Sequence, residues 1–216
     1  MLYLRPGGHG IRVQRQFLKR LASRYYEVVH GLIRKYDPTA LVLGDRYQSF
    51  YYPEVVEAAA PWVDVLSCNV NAAWSDGSFL RSQLSTLHNL SQKPIWVSEF
   101  YLAARENRSG NRNSHGIFPT VETQNQRAAS VARAFSTFQS LPYIVAADWF
   151  QYFDEPRHGR ADGENFNFGL VDIQDRPYEA VVNAFKANRP PSVPPTASPQ
   201  RPDASMGIPR APVNPF

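Results

Sequence analysis

Short apolar runs in this chain are entered through a proline and left through a long polar loop, and that asymmetry restricts the possible folds more than any other feature. Pro61 precedes the run 63–69, Pro94 the run 95–99 and Pro142 the run 143–149, while Asp37-Pro38 precedes the run 40–44. Near-continuous apolar stretches of this length read as strands covered on both faces, the habit of parallel sheets. Helical periodicity fills the intervals, over 12–36, 53–60, 79–90, 121–140 and 177–187. In the segment 12–36, Leu18, Leu21, Tyr25, Val28, Val29, Leu32 and Tyr36 recur at steps of three and four, with Lys19, Arg20, Arg24 and Arg34 mostly off that stripe. Such a stripe is expected to face the core.

Helix-to-strand connections are a few residues long, whereas the strand-to-helix connections 101–120 and 151–176 are long and polar. Short loops at one end of a sheet and long ones at the other mark a (β/α) barrel, whose chemistry sits at the long-loop end. A doubly wound open sheet is the alternative. Four such units are present where a closed barrel needs eight, and nothing before residue 12 is long enough to hold the others. The expected fold is therefore α/β, a partial (β/α)8 TIM barrel over 12–188. It is flanked by an irregular N-terminus, 1–11, and by a tail, 189–216, whose nine prolines predict an extended or disordered linker.

With 216 residues, 43% of them hydrophobic, the chain can bury one core. Its net charge of +4 divides into +7 over residues 1–36, −5 over 37–188 and +2 in the tail. The body is acidic and the basic excess sits on one helix and a tail, so no nucleic-acid partner is expected. The single cysteine, Cys68, excludes an internal disulfide and a cysteine zinc site, and reads as a small core residue. His115 has no partner at metal-ligand spacing, so neither metal nor cofactor is expected. The first residues, Met1-Leu-Tyr-Leu-Arg-Pro-Gly-Gly8, hold no apolar run long enough for a signal peptide or a membrane span. Either the protein is cytoplasmic or the chain begins downstream of its natural start.

The run Lys93-Pro-Ile-Trp-Val-Ser-Glu-Phe100 delivers one carboxylate, Glu99, to the mouth of the expected sheet. A nucleophile there needs a donor beside it and a second, protonated carboxyl at roughly 5 Å for retaining glycoside chemistry; a salt bridge at the sheet edge is the plain alternative. Trp149 closes a second run, where an indole could stack on a pyranose with Gln151 and Tyr152 beside it, or simply cap the core. Arg46, Asn69 and Asn71 occupy equivalent strand ends, and Tyr101 opens the loop after Glu99; all four are candidate sugar contacts. Arg46 could equally hold Glu99 ionised or form an ordinary surface ion pair. The polar, glycine-punctuated loop 157–169 suits a binding loop over that face, or an ordinary excursion before the last helix.

Taken together, Pro94-Ile-Trp-Val-Ser-Glu-Phe100, Gln124-Asn-Gln-Arg127, Pro142-Tyr-Ile-Val145, Trp149-Phe-Gln-Tyr152, Gly163-Glu-Asn165, Gly169-Leu-Val-Asp172 and Pro177-Tyr178 resemble clan A retaining glycoside hydrolases, most of all β-agarases, over about residues 20–187. The resemblance implies that the four strands are strands 5 to 8 of a barrel. It implies Glu99 as nucleophile, Trp149 as the tryptophan beside the scissile bond, a galactan-like carbohydrate substrate and a secreted or periplasmic full-length relative. The family's Asn-Glu pair ending strand 4, which carries the acid/base, would precede the first helix, yet residues 1–11 contain neither Asn nor Glu. The chain is thus expected to be the C-terminal part of such an enzyme, inactive alone. The alternatives are a non-catalytic carbohydrate-binding remnant, or a half barrel that self-associates through sheet edges near 41–43 and 144–147, with Asp154 or Glu155 of a second copy supplying the acid.

Overall fold

The computed structural model describes residues 6–48, 51–71, 77–114 and 118–188; His115 and the tail 189–216, with the expectations placed on them, lie outside the described residues. Helix α1 (His9–Tyr36) leads into β1 (Arg46–Tyr47), α2 (Pro53–Ala59) with a 3-10 turn (Ala60–Trp62), β2 (Leu66–Asn71), α3 (Ser78–Ser91) and β3 (Ile95–Tyr101). Two short strands, β4 (Ala103–Ala104) and β5 (Thr120–Val121), pair with each other ahead of α4 (Gln124–Gln139), β6 (Ile144–Trp149) and α5 (Glu179–Ala187). The main sheet runs β1-β2-β3-β6, parallel throughout. Each crossover steps one strand further in the same direction, without the reversal that gives a doubly wound sheet its switch point.

The predicted strand 40–44 does not enter the ladder, and β1 forms only at Arg46. Gly44 has φ +71°, and a Cβ there would lie 2.8 Å from Val63 Cγ1, so the chain turns where an extended run was expected. Val42 is held by Asp64 instead: its N–H donates to Asp64 Oδ2 at 2.8 Å and its carbonyl accepts from the Asp64 N–H at 2.8 Å. Because β2 and β3 run further than predicted, Asn71 and Tyr101 lie within strands rather than past them. At the N-terminus, helix begins at His9 rather than at residue 12, directly after the extended Gly8, and runs through Gly10. The helix expected from residue 121 begins at Gln124, where Thr123 and Gln126 make a reciprocal capping box, while 120–121 pairs with β4.

Helix α1 carries two adjacent apolar stripes, and the inner one docks. Ala22 and Tyr26 are buried, whereas Leu21 (57% exposed), Tyr25, Val28, Leu32 and Tyr36 of the expected stripe face outward, against expectation, beside the exposed Phe17 (66%). Arg15 with Glu54, Lys19 with Glu57 and Arg34 with Asp64 tie the basic flank of α1 to α2 and the segment after it, and the Tyr26 hydroxyl is hydrogen-bonded to Asp45 and Tyr47. Much of the basic excess of the first 36 residues is thereby engaged within the fold. The main core lies between the sheet and its helices. Leu66, Cys68 and Val70 of β2 and Ile95, Val97 and Phe100 of β3 pack with Leu80, Leu84 and Leu87 of α3 and Phe138 of α4. Burial pushes the Cys68 thiol up to about 12, as befits an inert core residue. Among the described residues no helix is long and apolar enough to cross a membrane.

Candidate active site

Strand alternation alone would bury Glu99. Ile95 and Val97 are fully buried in the helix-side core, and a period of two places residue 99 with them. A bulge intervenes: Cys68 is level with Val97 but Asn69 is level with Glu99, so Ser98 is an extra residue in β3. Phe100 takes the core position and Glu99 turns to the opposite face, beside Asn69. There Asn69 Nδ2 donates to Glu99 Oε2 at 2.7 Å and Arg46 Nη1 donates to Glu99 Oε1. Each carboxylate oxygen thus has its own donor, from β2 and β1 respectively, which fixes the carboxylate plane. Asn69 is oriented in turn, for Ser98 Oγ donates to its Oδ1 at 3.3 Å and Gln83 Nε2 to its backbone carbonyl at 3.2 Å.

Glu99, Arg46 and Asn69 form one wall of a cavity of about 190 Å³. Tyr101, Phe118, Phe150 and Phe168 form an aromatic wall, and Gln48, Arg160 and Glu164 complete the lining. The rings brace one another edge to face, Tyr101 to Phe118 at 5.4 Å and Phe118 to Phe168 at 5.7 Å, with Phe166 stacked behind Phe168 at 5.0 Å. Burial raises the Tyr101 hydroxyl pKa, and the negative charges of Glu99 and Glu164 add to the shift, so the phenol remains a neutral donor.

The loop 150–176 that completes this wall is held by buried polar groups. Asp154 accepts from Ser109 Oγ and Tyr178 OH, both at 2.6 Å, and from Gly169 N at 2.9 Å. Gly169 is obligatory, since a Cβ would lie 2.2 Å from the Asp154 nitrogen. Arg127, fully buried on α4, donates to the carbonyls of Leu102 (2.7 Å) and Gly169 (2.8 Å), so one guanidinium ties both long loops to the helix layer. Burial pushes Arg127 down to about 10. Glu155 accepts from Phe166 N at 2.6 Å, and Arg160 Nη1 lies 3.4 Å from Glu155 and 3.1 Å from Glu164. Burial first, then the neighbouring Glu164, pushes the Glu155 carboxyl up to about 7. Both Asp154 and Glu155 are buried, at 3% and 1% exposure, and so support the loop rather than reach toward a second copy as an acid.

Of the residues picked from sequence, Glu99, Arg46, Asn69 and Tyr101 come together, while Trp149, Gln151 and Asn71 do not line the cavity. Trp149 is level with Phe100 and shares its helix-side face. Its ring meets Phe100 edge-on at 5.1 Å and Phe185 at 5.5 Å, Arg127 lies over it at 5.3 Å, and its Nε1 donates to the Phe168 carbonyl at 2.7 Å. Phe150, one residue on and on the other face, lines the cavity in place of Trp149. Gln151 engages its backbone with Phe168 and Leu170, and Asn71 stands level with Tyr101 at the end of β2. Sequence reasoning missed Gln48, Phe118, Phe150 and Phe168 as individuals. Arg160, Glu164 and Phe168 do belong to the loop 157–169 that it singled out.

The chain is an α/β protein with a parallel sheet, and a carboxylate near the C-terminal end of its strands is gripped by an arginine and an amide beside an aromatic wall. No protein-family model matches the chain. It is 35% identical over 173 residues to β-agarase B of Vibrio sp. (strain JT0107), which is 79% of this chain and 17% of that protein. It superposes on the crystal structure of an agarase, AgWH50C, with a TM-score of 0.74 and 32% identity, covering 86% of this chain and 28% of the other. An exo-β-agarase structure gives a TM-score of 0.71 and 34% identity over 81% of this chain and 22% of that one. By sequence and by fold alike the chain is similar to agarase-like glycoside hydrolases, and it spans less than a fifth of the length of the curated relatives it matches.

Proposed function

We propose that this chain is the nucleophile-bearing part of a retaining glycoside hydrolase of clan A that acts on a galactan of the agarose kind. The observation that carries the proposal is Glu99, turned by a bulge out of the core into an aromatic-walled cavity with a separate donor on each carboxylate oxygen. In this reading a Glu99 oxygen attacks the anomeric carbon as the glycosidic bond breaks, forming a glycosyl ester that water then hydrolyses. Arg46 and Asn69 aim the carboxylate, while Tyr101 and Phe150 receive the sugar ring. Within the cavity the remaining carboxylate among the described residues is Glu164, which Arg160 engages at 3.1 Å. In this reading the acid that protonates the leaving oxygen is supplied by further βα units, as the resemblance to retaining enzymes implies. Its absence costs roughly 10² to 10⁴ in rate, so the 216-residue chain alone binds sugar without turning it over.

The test is made on a polypeptide in which the missing units are joined to this chain. A 2-deoxy-2-fluoro galactoside should label Glu99 covalently, as read by peptide mass spectrometry, and Glu99→Gln should bring turnover to background with the fold intact. Full turnover in Glu99→Gln would remove the nucleophile assignment, and inversion of anomeric configuration would remove the retaining mechanism.

A further inference from the structure

A second carboxylate, Glu164, stands in the wall of the Glu99 cavity, and the turn that carries it is built to hold it there. Arg160 N donates to the Glu164 carbonyl at 2.7 Å and Gly163 N to the Arg160 carbonyl at 2.9 Å, which closes the turn. Gly159 enters it at φ +81°, where a Cβ would lie 2.8 Å from that same Glu164 carbonyl oxygen. The Arg160 guanidinium folds back over the turn, with Nη1 3.1 Å from Glu164 Oε2 and 3.4 Å from Glu155 Oε1, and with Nη2 donating to Asp162. Glu155, buried and anchored by the Phe166 N–H at 2.6 Å, is hydrogen-bonded to Glu164. Glu164 and Arg160 are the charged groups that face Glu155 among the described residues. With its carboxyl pushed up to about 7, Glu155 keeps its proton below that pH and donates it to Glu164.

Braced from two sides, the Glu164 side chain is still 24% exposed, and it lines a cavity whose Tyr101 hydroxyl feels the charges of Glu99 and Glu164 alike. The guanidinium beside it is already committed to three carboxylates, so what this corner offers a ligand is an acceptor. An ionised carboxylate accepts hydroxyl hydrogen bonds about twice as strong as neutral ones, and a sugar ring laid on an aromatic wall carries its hydroxyls at the ring edge. We propose that Glu164 is a sugar-binding residue of the Glu99 cavity: its carboxylate accepts hydroxyls of the unit whose ring lies against the aromatic wall, and Arg160 and Glu155 are positioning residues that hold it. This rests on the reading of the Glu99 cavity as the sugar site.

The test is amide chemical-shift titration of the 216-residue chain with an agarose-derived tetrasaccharide, run across a pH series on the wild type, Glu164→Gln and Glu155→Gln. Wild-type shifts are expected around Glu99 and along residues 160–164. Glu164→Gln should weaken binding about tenfold, since a neutral amide replaces a charged acceptor, with the resonances of the helices unmoved. Wild-type affinity should fall as pH rises through about 7, where Glu155 loses the proton it gives Glu164 and sets a second negative charge behind it. Glu155→Gln, whose amide N–H can still donate, should flatten that fall. Equal affinity of Glu164→Gln and the wild type, with shifts at Glu99 present, overturns the role of Glu164 alone. Parallel pH profiles of Glu155→Gln and the wild type overturn the positioning role of Glu155. A wild-type spectrum that does not respond to the sugar overturns the reading of the Glu99 cavity and this proposal with it.

Discussion

Ser98 and Glu155 decide most about this molecule at the scale of single residues. Ser98, the extra residue of the β3 bulge, turns a carboxylate that would be buried into one that faces a cavity. A one-residue shift has that power because strand side chains change face at every step. Glu155 sits beneath the cavity wall with its carboxyl pushed up from 4.5 to about 7, by burial first and by Glu164 next. The folded protein therefore holds this proton more tightly than the unfolded chain does. Its contribution to stability is complete below pH 4.5 and is lost as pH rises through about 7. Glu155→Gln should flatten the fall in urea midpoint between those two values relative to wild type. Identical pH profiles for the two proteins would show that Glu155 does not titrate in that range.

At the scale of elements, α4 and α1 show how differently two helices can be read from sequence. The start of α4 was present in the chain as Thr123-x-x-Gln126, and the side chains close in both directions, Gln126 N to Thr123 Oγ1 at 3.2 Å and Thr123 N to Gln126 Oε1 at 3.1 Å. Thr123→Ala should cost about 1 kcal/mol of unfolding free energy by denaturant titration; a change near zero would show that tertiary contacts, not the cap, set the helix start. The periodicity of α1 foretold a helix but chose the wrong face. Its apolar band is wide enough for two dockings, and the face that docks is the one carrying Ala22 and Tyr26, whose hydroxyl meets Asp45 and Tyr47 on a distant segment.

For the whole molecule the open features agree with one another. Strands β1 and β6 are the edges of the four-stranded sheet among the described residues, and the outer stripe of α1 is exposed. Unpaired parallel edges and a broad apolar helix face are both templates for association. The 216-residue chain on its own is therefore expected to self-associate as its concentration rises, and Leu21→Lys with Tyr25→Lys should reduce this. Sedimentation velocity reads both, and a monomer at every concentration tested would mean that the exposed stripe is tolerated in water.

What the amino-acid order determined by itself was local: where most of the helices and three of the main strands lie, that the strands are parallel, which loops are long, and that Glu99, Arg46, Asn69 and Tyr101 belong to neighbouring strands. Those properties follow from hydrophobic period and from proline and glycine, which act over a few residues. Only the tertiary structure decided which face each side chain meets. The bulge at Ser98, the exchange of Phe150 for Trp149 in the cavity wall, and the union of Phe118 with Phe168 and Glu164 depend on register between strands and on loops distant in sequence. Register is set by pairing energies between segments far apart in the chain, and no local pattern encodes it.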